Sequence, residues 1–374
     1  MVTRAPAEVG CRLSEVDTPA LLLDLSAFER NLRRMAEHLR GTGIHLRPHA
    51  KTHKSARIAA LQVANGAIGV SCQKVSEAEC MVRGGMRDIL ITNQIVGAQK
   101  LSRLCALALQ ARITVCVDDA HNVRDLGLAA AACAATLGVL VEIDVGANRC
   151  GVPPDAAALD LARTVAATPG LRFEGLQAYH GPAQHTREYG ARKAQIEAVV
   201  SRVRQLRDLI QDSGMACPVI SGGGTGAFAL EAASGVYTEL QAGSYIFMDA
   251  DYARNELPPP ELRLEFEHSL FVRTTIMSRP AAGRAVVDAG LKAIGVDAGM
   301  PLVHEVPGAH YIRASDEHGV LRLDEAAQSL RLGDCLQLVA GNCDPTVNLH
   351  DWYVALRDQR VEALWPVDAR GPGY

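Results

Sequence analysis

Along this chain, short and nearly all-apolar runs alternate with stretches in which apolar positions return every three to four residues. The runs fall at 44–50, 69–72, 88–93, 113–118, 137–144, 172–179, 217–221 and 237–242, each separated from the next by a segment of helical periodicity. Strands that are β-branched and lack polar alternation are buried on both faces, and their alternation with helices predicts a parallel sheet. Eight of them fit a closed (β/α)8 barrel of α/β class; an open, doubly wound sheet is the rival topology. Ahead of the first lie an apolar run at 20–25 and a helical pattern from Ser26 to Leu39, with Ser26 the expected N-cap. After Pro258-Pro259-Pro260 the texture changes, and 270–277, 284–288, 336–340, 352–357 and 361–365 read as strands with little helix between them. The expected division is a barrel over 18–262 and a β-rich domain formed by 1–17 and 263–374.

Composition narrows the classes of function. Lys+Arg of 38 against Asp+Glu of 42 leaves a net charge of −4 without a basic stripe, which argues against a nucleic-acid partner. The ten cysteines are scattered with no CxxC pair and read as reduced core residues of a cytoplasmic protein. No apolar run approaches the roughly 20 residues that span a bilayer, and Met1 to Gly10 has no export signal, so no membrane role is expected.

Catalytic groups of a barrel stand at the carboxyl ends of its strands, and here every such end is polar. The first strand ends at Lys51, the second at Cys72-Gln73-Lys74, the third at Asn93-Gln94 and the fourth at Asp118-Asp119. Asp144 to Arg149, Tyr179-His180-Gly181, Ser221 to Gly226 and Gln241 to Ser244 follow. Lys51 lies in a knot of bases, Arg47, His49, His53 and Lys54, where burial and like charge would lower its pKa and leave an amine able to form a Schiff base. The alternative is a solvated basic turn. In Ser221-Gly222-Gly223-Gly224-Thr225-Gly226, successive N–H groups can converge on an anion, with Ser221 and Thr225 adding hydroxyls; the alternative is a flexible loop. Gly243-Ser244 would close the other side of that cup. A lysine and a phosphate cup that meet across barrel closure suit pyridoxal 5'-phosphate (PLP), which carries both an aldehyde and a phosphate.

Nine stretches in order along the chain carry a specific resemblance. They are Arg47 to Lys54, Cys72 to Glu79, Glu142 to Gly146, Arg149-Cys150-Gly151, Gln177 to Gly181, Ser221 to Gly226, Glu239 to Tyr245, Asp316 to Gly319 and Cys343 to Thr346. With these the sequence resembles the fold-type III, alanine-racemase-like PLP enzymes, and within them the group of D-threonine aldolases, 3-hydroxy-D-aspartate aldolases and D-serine dehydratases. The resemblance implies that Lys51 holds the cofactor, Arg149 approaches its phenolic oxygen, Tyr179 contacts its ring and Gln241 stands opposite its ring nitrogen. Gly223, Gly224, Thr225, Gly243 and Ser244 would hold the phosphate, with Gln73 and Tyr245 counted in the same cofactor set. His185 matches the base for the substrate hydroxyl, and His180, His318 and Asp316 are outer partners.

The group also uses a divalent metal, bound by a histidine followed two residues on by an aspartate or cysteine. Asn342 and Asp344 stand there in this chain. An amide oxygen in place of imidazole favours Mn2+, Mg2+ or Ca2+ over Zn2+. Asp344 matches the aldolases, whereas the dehydratases place a cysteine at that position; Cys343 is expected to point away along a strand. The implied activity is cleavage of a D-β-hydroxy amino acid of D-threonine type to glycine and an aldehyde, by a homodimer. Alternatives are cleavage of 3-hydroxy-D-aspartate to glycine and glyoxylate, dehydration of D-serine or 3-hydroxyaspartate with release of ammonia, and a non-catalytic PLP carrier. A second substrate carboxylate would need a cation, for which Arg47, Arg313 and Lys292 are candidates.

Overall fold

The computed structural model describes residues 4–260, 263–371 and 373–374. After β1 (Ala20–Asp24), the eight apolar runs form β2 (His45–Leu46), β3 (Val70–Cys72), β4 (Asp88–Gln94), β5 (Arg112–Val117), β6 (Leu137–Glu142), β7 (Leu171–Gln177), β8 (Val219–Gly222) and β9 (Glu239–Leu240). Their order is β2-β9-β8-β7-β6-β5-β4-β3, with every pairing parallel. The cylinder closes between the ends of this list: Ala50 N–H donates to Ser71 O at 2.7 Å and Ser71 N–H to Pro48 O at 2.9 Å. The sheet is thus the barrel and not its open rival.

The side-chain alternation explains why both faces are apolar. Ile89, Ile91, Val115, Val139 and Val141 pack outward against the apolar faces of the surrounding helices. Their out-of-phase neighbours Leu90, Cys116 and Leu140 form a separate small cluster inside. In the helix Leu25–Leu39, Leu25, Phe28, Leu32, Met35 and Leu39 are buried at three- to four-residue spacing. Its N-cap is Asp24, not Ser26, because β1 runs straight into the helix and leaves Asp24 extended, its carboxylate accepting from Ala27 N–H at 3.0 Å.

The second sheet contains β10 (Leu270–Ala281), β11 (Arg284–Val287), β12 (Leu302–Val303), β13 (Ala309–Ala314), β14 (Gly319–Leu323), β15 (Cys335–Val339), β16 (Trp352–Arg357) and β17 (Arg360–Pro366). Sequence patterning misses β12, β13 and β14, which are half-exposed. It also leaves Ala20–Asp24 with the barrel, whereas β1 pairs antiparallel with β10 and parallel with β16 in this second sheet. The other expected boundary, at 262, lies outside the described residues. Two backbone bonds, Ala250 N–H to Ala340 O at 2.9 Å and Asp251 N–H to Gly341 O at 3.1 Å, sew the loop after β15 to the loop after β9. Tyr353 O–H donates to His53 O at 2.6 Å, so the second sheet is anchored directly behind Lys51.

The amino-terminal end of the barrel is plugged by paired charge. Arg47, 4 % exposed, meets Asp88 at 2.6 Å and Glu239 at 2.9 Å, and Arg112 bridges Asp88 and Glu174 at 3.1 Å each. Glu174 turns inward because the β6–β7 register slips beside it. Gly175 there has φ of +149°, and a Cβ on it would lie 1.9 Å from Val219 O. Gly175→Ala is therefore expected to lower stability by about 1–3 kcal/mol, measured as a reduced urea midpoint with weaker retention of structure on heating.

Candidate active site

The carboxyl ends of the barrel strands open into a cleft with about 810 Å3 of empty space, part of it continuous with solvent. Lys51, Gln73, Arg149, Tyr179, His185, Gly224, Thr225, Gln241, Gly243, Ser244, Asn342 and Asp344 all line it. Gly223 and Tyr245 are not among the lining residues. Gly223, at φ +77°, bends the loop from behind. Tyr245 is 1 % exposed and belongs to the core, its ring 5.5 Å from that of Phe266 and its hydroxyl accepting from Gln62 Nε2 at 3.4 Å. Its hydroxyl is met by Gln62 within the core and takes no part in the cleft.

Lys51 carries more proton, not less, than the sequence suggests. Asp344 Oδ2 lies 3.2 Å from its Nζ and raises its pKa, outweighing burial and the charge of Arg149. The cause is an anion delivered from the second sheet, which the local run of bases does not reveal. Burial alone would raise the Asp344 carboxyl, but Lys51 and the Thr52 hydroxyl hold it below the usual range. His49 beside them stays neutral: burial, then the charge of Lys51, push it down to about 3. Its Nδ1 accepts from Lys51 N–H at 3.3 Å, so Nε2 carries the hydrogen, shared between Thr92 Oγ1 at 2.9 Å and Gln73 Oε1 at 3.1 Å.

The phosphate cup has the chemistry the sequence implied, with one change. Thr225 Oγ1 is buried in the lining without a hydrogen-bond partner, an arrangement that an incoming acceptor would complete. Close packing requires glycine on both sides: a Cβ at Gly224 would meet Gln184 Oε1 at 2.5 Å, and one at Gly243 would meet Thr52 Oγ1 at 2.6 Å. Ser221 is not part of the cup, because its hydroxyl donates to Glu239 Oε1 at 2.6 Å behind the cleft. Arg149 stands 5.5 Å over the Tyr179 ring, raised on a loop that Asp144 shapes by accepting from Gly146 N–H at 2.9 Å and Asn148 N–H at 3.1 Å. PLP therefore fits the residues present.

His185 brings a partner that sequence reasoning missed. Its Nδ1–H donates to Asp251 Oδ2 at 2.5 Å, and its ring stacks on Tyr252 at 5.7 Å. Burial works to raise Asp251, but hydrogen bonds from Arg254, Arg187 and His185 outweigh it and keep the carboxylate charged. That fixes the tautomer and leaves Nε2 as a free acceptor at the cleft. Asp249 also lines the cleft and is pushed up to about 7 by burial, despite backbone bonds from Tyr252 at 2.9 Å and Cys343 at 3.3 Å. The run Asp249-Ala250-Asp251-Tyr252 was visible in the sequence; what hid its role is that it lies past the last strand end, in a loop with no periodic signal.

At the expected metal position, Cys343–Val347 is a short helix and not a strand. Asn342 caps it, its Oδ1 accepting from Asp344 N–H at 3.1 Å while Nδ2 donates to Asp297 Oδ2 at 3.0 Å. Cys343 is buried, its thiol 3.5 Å from Met248 O. Asp344 Oδ1 is buried without a hydrogen-bond partner. One free carboxylate oxygen and the second lone pair of Asn342 Oδ1 make an oxygen-only donor pair, suited to a hard cation completed by water. Among the described residues no group of three His, Cys, Asp or Glu side chains forms a metal cluster.

Other candidates stand apart from the cleft. His180 is turned to the loop of Gly146, with Nδ1 accepting from Ala183 N–H at 3.1 Å. Asp316 and His318 lie on the exposed turn between β13 and β14. Arg47 is locked in the barrel floor, Lys292 pairs with Glu317 at 2.5 Å on the surface, and Arg313 is exposed on β13. None of them lines the cleft.

A cleft lysine in the turn just past the first barrel strand, a glycine cup across the closure and a β-rich second domain define a fold-type III PLP enzyme. The alanine racemase N-terminal domain family matches residues 23–251 and a serine dehydratase domain matches 269–356, and the chain belongs to this family. It is 49 % identical over 366 residues to D-threonine aldolase of Arthrobacter sp, covering 98 % of this chain and 96 % of that one. It is 46 % identical over 373 residues to 3-hydroxy-D-aspartate aldolase of Paracoccus denitrificans (strain Pd 1222), covering 99 % and 96 %. The crystal structure of D-threonine aldolase from Filomicrobium marinum superposes with a TM-score of 0.96 at 49 % identity, covering 99 % of each chain. The chain is thus a carbon–carbon lyase of the D-threonine aldolase type.

A lysine whose pKa is raised stays protonated, and so unreactive towards an aldehyde, up to higher pH. Asp344→Asn removes the anion responsible. Apoprotein of that variant is expected to take up PLP covalently at lower pH than the unaltered chain, followed by absorbance on mixing at a series of pH values. Coincident profiles would refute the pairing.

Proposed function

We propose that this enzyme cleaves the Cα–Cβ bond of a D-β-hydroxy amino acid of D-threonine type to glycine and an aldehyde, using PLP on Lys51 and an oxygen-preferring divalent cation at Asn342 and Asp344. The observation that carries this reading is the His185–Asp251 pair, a base with its tautomer fixed and its free nitrogen at the cleft. Cleavage of this bond requires the β-hydroxyl proton to leave, and His185 Nε2 is the group held ready to take it. Asp251 keeps the imidazole oriented and balances the charge it gains. Lys51 would hold the cofactor through its amine, and its place beside Asp344 suits it to give a proton to the α-carbon. Gly224, Thr225, Gly243 and Ser244 would hold the phosphate, Arg149 would stand by the phenolic oxygen, Tyr179 by the ring and Gln241 opposite the ring nitrogen, all of them residues that line the cleft. When bound, PLP supplies an electron sink for the pair released by the breaking bond. A cation on Asp344 Oδ1 and Asn342 Oδ1 would lower the pKa of a hydroxyl placed next to it.

A small β-substituent is favoured over a second carboxylate. Among the described residues that line the cleft, Lys51 and Arg149 are the permanent cations, and both have assigned tasks. Asp344, an oxygen ligand, supports cleavage over dehydration, and a catalytic His–Asp pair argues against a carrier role. We read the enzyme as a homodimer, consistent with an Asp316–His318 turn that does not serve its own cleft.

Incubation with D-threonine and with D-threo-3-hydroxyaspartate, before and after EDTA treatment and Mn2+ addition, tests the reading. Glycine and acetaldehyde from D-threonine are expected, with loss on EDTA treatment and recovery on Mn2+; ammonia in place of glycine would establish dehydration instead. His185→Ala is expected to lower kcat by about 10²–10⁴-fold while PLP remains bound. A variant that keeps more than a tenth of the rate would remove His185 from the reaction.

A further inference from the structure

Behind Gln241 lies a chain of buried polar groups that the reaction as described does not use. Gln241, Ser221, Glu239 and Arg47 are each at most 5 % exposed, and only the first reaches the cleft. Glu239 Oε2 faces Arg47 at 2.9 Å, and Arg47 is held from the other side by Asp88 at 2.6 Å. Pinned against a guanidinium, Glu239 is a carboxylate and can only accept. Ser221 must therefore give its proton to Glu239 Oε1, at 2.6 Å, and offer a lone pair on its far side. Gln241 Nε2 donates into that lone pair at 2.7 Å and into Gln177 Oε1 at 2.7 Å, which uses both of its hydrogens. The carbonyl oxygen of Gln241 accepts from Gln177 Nε2 at 3.3 Å and keeps a second lone pair. Flipping the amide would set that oxygen against a serine with no proton left to give.

We propose that Glu239, acting through Ser221, locks the Gln241 amide with its oxygen towards the cofactor and thereby holds the ring nitrogen of bound PLP in its protonated form. This rests on the reading above that Gln241 stands opposite that nitrogen. An unprotonated ring nitrogen would meet a carbonyl lone pair with a lone pair of its own, whereas a protonated one donates a hydrogen bond into it. A cationic ring withdraws electrons more strongly than a neutral one, and it is the form that best accepts the pair from a broken Cα–Cβ bond. Ser221 and Glu239 are positioning residues: neither touches the cofactor. A neutral amide in the cleft acquires a definite polarity from a carboxylate two hydrogen bonds away.

The test is the nitrogen-15 magnetic resonance of apoprotein reconstituted with PLP labelled at the ring nitrogen, alongside borohydride trapping. The expected result is a resonance at the upfield position of a protonated pyridine wherever the protein holds the cofactor. In Ser221→Ala, whose amide is free to turn, the resonance should move towards the neutral position at the same pH. A neutral resonance in the unaltered protein, or a protonated one unchanged in Ser221→Ala, would overturn the proposal while the trapped label on Lys51 leaves the aldolase reading standing. Absence of any label on Lys51 would instead remove that reading. Circular dichroism of Ser221→Ala separates a turned amide from a misfolded chain, and the measurement on the unaltered protein decides the matter even if the variant fails to fold.

Discussion

The site depends on one ion pair that crosses from one domain to the other. Lys51 comes from the turn just past the first barrel strand and Asp344 from the short helix that follows β15, and each shifts the other's protonation. The lysine is held charged, the aspartate is held ionised, and the geometry is maintained by the backbone bonds that sew residues 340–341 to 250–251. A pair of this kind, open to the cleft, is worth little as a source of stability, since solvent screens much of its attraction. Its value is chemical: it holds a charged amine and an ionised carboxylate side by side at the cleft.

Much of the barrel was legible because its signal is local. Runs such as Ile113 to Val117 and Leu137 to Val141 are too short and too uniformly apolar to be anything but two-faced strands, and all eight formed. The residues that end them were legible for the same reason, since a barrel puts every strand end at one mouth. What could not be read was whatever depends on a partner remote in sequence. The raised pKa of Lys51 comes from residue 344, the fixed tautomer of His185 from residue 251, and the role of Ser221 from a carboxylate on the next strand. Tyr245 shows the converse: it sits next to a cup residue in sequence, but its helical turn points it into the core.

Asn342 fixes its surroundings through both ends of its amide. As a cap it must lend its carbonyl to Asp344 N–H, which orients the short helix and the carboxylate beside it. A histidine at the same place could not make the same cap through a short side chain, so the asparagine controls the direction of Asp344. The Asp297 carboxylate on the other end of the amide keeps the side chain from turning.

The placement of β1 bears on how the chain can be made. This strand leads directly into the first helix packed on the barrel, yet its two hydrogen-bonded neighbours are residues 270–273 and 353–356. During synthesis it emerges some 250 residues ahead of one partner and 330 ahead of the other, with both edges open until they follow. The strand that feeds the first helix of the barrel is therefore fixed only after both of those segments have been made, and the mouth of the barrel gains its second wall no earlier.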